Sequence, residues 1–114
     1  MRPIIVRKSK IPQALSLWMP IAAITLWPFI FIRDGAETEE LVQHECIHIA
    51  QYNECLVLGF YGIYLWDWLI GLLKYRSPQK AYRQIRFEQE AYQAQGERDY
   101  LSHRRPFAWL RMHV

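Results

Sequence analysis

Gln43-His44-Glu45-Cys46-Ile47-His48-Ile49-Ala50-Gln51 is the stretch around which the rest of the chain finds a place. It carries the spacing H-E-x-x-H in a segment that reads as helix. A helix advances about 100° per residue, so His44 and His48 lie one turn apart on one face, where two imidazoles can reach a single tetrahedral metal ion. Glu45 sits one step round the cylinder. That offset keeps it out of the ligand set and leaves it beside an open fourth position, where a general base is useful. The plain alternative is that two histidines and a glutamate share an exposed helix face by accident.

Immediately upstream, Thr38 followed by Glu39 and Glu40 is a helix start with acidic residues in the first turn, and Asp34-Gly35 is a turn before it. Further back, Pro3-Ile4-Ile5-Val6-Arg7 is a short β-type run. Residues from Ile11 to Ile32 carry no charge, which fits either a membrane span or buried strands. Basic residues before the stretch and acidic ones after it suit a span. Pro12, Pro20 and Pro28 break it into pieces, and β-branched and aromatic residues dominate Ile21–Trp27 and Phe29–Ile32, so we read strands, with Pro28 at an edge or bulge. An edge strand beside a metal site could add an extended peptide through main-chain hydrogen bonds.

Downstream, the histidine helix is expected to run to about Leu58. Gly59 and Gly62 loosen the next stretch, and Tyr61 to Leu73 reads as a buried helix hairpinned against the first; Asp67 within that segment argues against a span. Ser77 then Pro78 marks the next helix start, as N-cap and first helical residue. A third helix from Pro78 to about Gln95 places Gln79, Arg83, Arg86, Glu90, Gln93 and Glu97 on a polar face and Ala81, Ile85, Glu88, Ala91, Tyr92 and Gln95 on the other. A carboxylate on an apolar face needs a cation or a pairing partner, which makes Glu88 the best third metal ligand, with an ion pair to an arginine as the alternative. Glu90 is expected on the solvated face, paired with Arg86. Glu54, six residues after His48, points away on an unbroken helix and is a poor ligand.

Together, His44-Glu45-x-x-His48 and the later Arg86-Phe87-Glu88-Gln89-Glu90-Ala91 resemble the gluzincin metallopeptidases, in particular the prenyl-protein and heat-shock membrane endopeptidases and their minimal relatives, the minigluzincins. In that family a glutamate followed three residues later by alanine and then aspartate gives the third zinc ligand, which corresponds to Glu88 with Ala91. Tyr92 stands where the aspartate is usual, so a zinc-binding histidine lacks its customary carboxylate support. The resemblance covers about residues 41 to 95. It implies a zinc-dependent peptidase in which Glu45 takes a proton from water at a zinc ion held by His44, His48 and Glu88. Tyr82, Tyr92, His103, Arg104 and Arg105 are the available donors to an oxyanion.

At 114 residues the chain is expected to be one domain. Hydrophobic residues at 52% and aromatics at 15% exclude disorder and fit a compact core or a membrane-facing surface. The net charge of +3 gathers at Arg2, Arg7, Lys8 and Lys10 and from Lys74 onward, without any signature of a nucleic-acid module. Cys46 and Cys55 are too far apart along a helix for a disulfide and read as small reduced core residues, as in the cytoplasm. The segment after Glu97 reads as a short helix, a proline-broken turn and an aromatic tail that caps the core. The expected fold is α+β, a minimal zincin-like domain with a short N-terminal β element, three main helices and the metal site between two of them. The expected partner is a peptide or protein substrate. A small membrane-embedded protein, a silent zinc-binding scaffold and attachment to a membrane surface are the other options.

Overall fold

The computed structural model describes residues 3–12, 23–33, 35 and 37–114. Its sheet is formed by β1 (Ile4–Ser9), β2 (Ala23–Leu26) and β3 (Phe29–Arg33) in the order β1-β3-β2. β2 and β3 pair antiparallel, Leu26 opposite Phe29 and Ala23 opposite Ile32, so Trp27-Pro28 is the turn between them. Pro28 therefore occupies neither an edge nor a bulge: in the turn, its missing N–H costs no ladder bond. β1 runs parallel to β3, which leaves the outer edge of β2 without a strand partner among the described residues. Period-two alternation buries Ile30 and Ile32 of β3, and these pack on Ile49. Ile21-Ala22, the rest of residues 13–22 and Asp34 of the expected turn lie outside the described residues.

Helix α1 (Glu39–Glu54) begins as read, with the Thr38 hydroxyl accepting from the Leu41 N–H at 3.0 Å. It stops before Leu58. Leu56 and Val57 adopt left-handed backbone, φ 55° and 65°, and Val57 N–H donates to the Tyr52 carbonyl at 2.8 Å. Such a conformation is unfavourable for a β-branched residue by about 1–3 kcal/mol, offset here by packing of Val57 against the Tyr52 and Phe60 cluster.

Helix α2 (Leu58–Tyr75) starts at once and runs through Gly59 and Gly62, bent 111° from α1. The expected hairpin with α1 is thus not formed; α2 packs instead along α3 (Pro78–Gln84). Gly71 makes that approach possible, since a Cβ there would lie 2.9 Å from the Ala81 Cβ. Nor is α2 a buried helix. Only Phe60, Asp67 and Gly71 are fully enclosed, and one apolar side stands open. Among the described residues no single helix is long and apolar enough to cross a membrane.

Ser77 caps α3 as read, its hydroxyl accepting from Lys80 N–H at 3.3 Å. The single third helix is broken at Ile85, φ −57° and ψ 130°, after which α4 (Arg86–Ala94) begins. Asp67 sits at the break. Its buried carboxylate accepts from Arg86 N–H at 3.1 Å and from the Arg86 guanidinium at 2.9 and 3.0 Å, holding a negative charge at the first turn of a new helix. After α5 (Tyr100–His103), a turn at Pro106 leads to a 3-10 helix, Ala108–Arg111, which buries Trp109 against Phe87 at 4.7 Å between ring centres. The α+β class stands, with a three-stranded sheet and five α-helices among the described residues.

Candidate metal centre

α1 presents His44 and His48 on one face, and α4 brings Glu88 against them from across the core. All three are buried, and one ligand atom from each lies within 4.8 Å of the others. The two imidazole Nε2 atoms meet the same carboxylate oxygen, Glu88 Oε1, at 3.0 and 3.1 Å. Two nitrogens and an oxygen converging at such distances, with Nε2 leading on both rings, can hold a metal ion.

The opposite ring nitrogens fix that orientation. His44 Nδ1 donates to Gln95 Oε1 at 2.8 Å, and His48 Nδ1 donates to Gln51 Oε1 at 2.7 Å. For Gln51 the amide orientation is chemically determined. Its Nε2 donates to the Phe87 carbonyl at 3.0 Å and to Glu90 Oε1 at 2.9 Å, both acceptors, so only its oxygen is left for the imidazole. His48 Nδ1 thus carries a proton, so the nitrogen it can offer to an ion, once its own proton is displaced, is Nε2. The support missing at Tyr92 comes from these glutamines, while the Tyr92 ring packs edge-on against His44 at 4.5 Å.

Glu90 corrects the sequence reading. It is 1% exposed, paired not with Arg86 but with Arg104, whose Nε donates to Oε2 at 2.5 Å and Nη2 to Oε1 at 3.0 Å, and it also accepts from the Tyr100 hydroxyl at 2.7 Å. The break at Ile85 resets the helix phase and turns Glu90 inward. Arg104 reaches Glu54 as well, at 3.0 and 2.8 Å, so Glu54 is an ion-pair partner on the far side of His48. A continuous line of polar contacts therefore runs from Arg104 through Glu90 and Gln51 to His48.

Electrostatics follow the geometry. Burial pushes the His48 pKa down, but the Glu88 carboxylate at its Nε2 outweighs it and holds the value up at about 9. For Glu88 burial acts upward, and the two histidines overcome it, keeping the carboxyl well below the usual carboxylate range. The Tyr64 hydroxyl donates to Glu88 Oε2 at 2.7 Å, and burial, with Glu88 beside it, pushes that phenol far upward. Glu45 is buried outside the ligand trio, its Oε2 accepting from the Thr25 hydroxyl of β2 at 2.6 Å.

These groups line one cavity of about 730 Å³, whose other walls include Leu26 and Ile24 of β2, Leu41 of α1, and Tyr61 and Leu65 of α2. Tyr82 and Tyr92 also line it, their hydroxyls 3.2 Å apart. Of the other proposed oxyanion donors, Arg104 is committed to Glu54 and Glu90, His103 lies 3.7 Å from Asp99, and Arg105 is exposed. Thr25, Gln51, Tyr64 and Gln95 were not singled out by sequence. Only Gln51, three residues after His48, and Gln95, on the same inner face as Glu88, carried any positional signal. No family model matches the chain, and no curated protein and no solved structure matches it either.

Proposed function

We propose that the protein is a zinc-dependent peptidase of the gluzincin type, with His44, His48 and Glu88 as ligands and Glu45 as the general base. One observation carries this reading: a buried carboxylate that is not a ligand faces the same cavity as the trio, directly after His44 in sequence. A purely structural metal site has no use for such a group. The borderline donor set of two imidazoles and one carboxylate favours zinc over magnesium or calcium. Zinc in such a site supplies Lewis acidity toward a carbonyl and acidifies water.

The chain's own residues provide the rest. Thr25 fixes one oxygen of Glu45 and leaves Oε1 to accept a proton. Tyr64 and the two glutamines hold the ligands in register, and the hydrogen-bonded Tyr82–Tyr92 hydroxyl pair, whose residues line the cavity, would supply a donor for developing negative charge. The outer edge of β2, which no described strand covers, borders that cavity and offers main-chain partners to an extended peptide.

The test is Glu45→Gln assayed on a broad peptide library. Zinc content and thermal stability should match wild type while hydrolysis falls roughly 10² to 10⁴-fold, the contribution of a positioned base. A wild-type protein that cleaves nothing and a variant indistinguishable from it would overturn the peptidase reading.

A further inference from the structure

α2 exposes what a core helix hides. Leu58, Leu65, Trp66, Leu69 and Leu73 are 79%, 55%, 63%, 44% and 83% exposed, and Tyr61 is 43% exposed. At 100° per residue these positions, with Gly62, cover roughly 140° of the helix circumference without a charge among them. Asp67 projects from the opposite side, buried at 1% exposure and bound to Arg86. Among the described residues nothing packs over this face, and apolar surface continuous along a whole helix marks an interaction site.

Charge identifies the partner. Between Leu56 and Gln84 the exposed side chains charged at neutral pH are Lys74, Arg76, Lys80 and Arg83, all basic; the one carboxylate in that span, Asp67, is sequestered. An apolar face with Trp and Tyr on it, carried by a hairpin whose exposed charges are all positive, matches an anionic lipid surface. We propose that α2 is a membrane-surface docking helix that lies in the plane of a bilayer containing anionic lipid. It lies on the bilayer rather than spanning it, because a span would carry the Asp67–Arg86 pair and the attached core into hydrocarbon. Tyr61 and Leu65 belong to both the exposed face and the cavity wall, so docking sets the rim of the cavity at the lipid boundary. The proposal stands independently of the metal and of peptide hydrolysis.

Flotation of the full chain tests it, using vesicles of pure phosphatidylcholine and of phosphatidylcholine with about one third phosphatidylglycerol. Wild type should float with the anionic vesicles and bind the neutral ones roughly tenfold more weakly. Trp66→Gln and Leu69→Gln keep the net charge and do not line the cavity; each should cut binding roughly tenfold while leaving circular dichroism, melting temperature and zinc content unchanged. Lys74→Glu with Arg76→Glu should abolish the preference for anionic lipid. Failure of wild type to float with either vesicle would overturn the proposal, as would unchanged flotation of both apolar variants. So would sedimentation of wild type as a dimer that Trp66→Gln converts to a non-floating monomer, since the face would then belong to a second copy of the chain.

Discussion

At Gln51 one neutral amide meets two opposite demands, an acceptor for the imidazole of His48 and a donor for the carboxylate of Glu90. Gln51→Met keeps the volume and removes both, and zinc affinity measured by competition with a chelating dye should fall about 10 to 100-fold. Glu88→Gln should weaken zinc binding by a similar factor or more. Glu90→Gln acts through Arg104 instead and should lower thermal stability more than it lowers affinity, a ranking that sinks the ligand assignment if reversed. Titration adds a sign. In the metal-free protein, the His48–Glu88 contact contributes fully between about pH 4.5, the ordinary carboxyl value, and 6.5, the ordinary imidazole value. Because the folded His48 value is raised, that contribution is lost as pH rises toward about 9; because the folded Glu88 value is lowered, it is lost also in strong acid. Zinc must displace the His48 proton, so its affinity should rise with pH up to about 9, and a flat profile would remove the claim. His44, His48 and Glu88, which the structure brings together, could be picked from the sequence because charge and imidazole at helical spacing are rare signals. Gln51, Gln95, Thr25 and Tyr64 could not, since neutral polar side chains acquire meaning only when a distant element faces them.

Helix boundaries divide along the same line. The starts at Thr38 and at Ser77-Pro78 were legible because a cap acts on backbone groups within three residues. The break at Ile85 was not: the carboxylate that meets the first N–H after it, Asp67, lies 19 residues before Arg86, on another helix. Periodicity extended unbroken through Ile85 therefore put Glu90 on the wrong side. Asp67→Ala leaves the Arg86 guanidinium and the first N–H of α4 without their shared acceptor, and unfolding should become easier by about 3–5 kcal/mol. Denaturant titration checks this, and a cost under about 1 kcal/mol would mean that the helix break is set elsewhere. The end of α1 was misjudged for a related reason. Left-handed backbone at Leu56 and Val57 has no glycine to announce it, and it persists because the Tyr52–Phe60 cluster fixes the chain on both sides.

Across the molecule, the centre joins α1 to α4, two segments that would separate on unfolding, so an ion bound only by the native state stabilises the whole fold. At free zinc about 100 times Kd the gain is about 2.7 kcal/mol, a rise in melting temperature on the order of 10 °C for a chain of this size. Calorimetry with zinc and with chelator measures it, and coincident melts would exclude a site built from these two helices. The open side of α2 was the least legible feature, because hydropathy reports that a helix is apolar and says nothing of how much protein surrounds it. Arg104 has one more consequence, and it concerns the order in which the chain can dock. It follows Glu90 by 14 residues and Glu54 by 50 and closes the line of contacts that ends at His48. Glu90 therefore receives its cation only when the C-terminal segment seats, and a chain cut short before Arg104 would bury that carboxylate without a positive charge beside it.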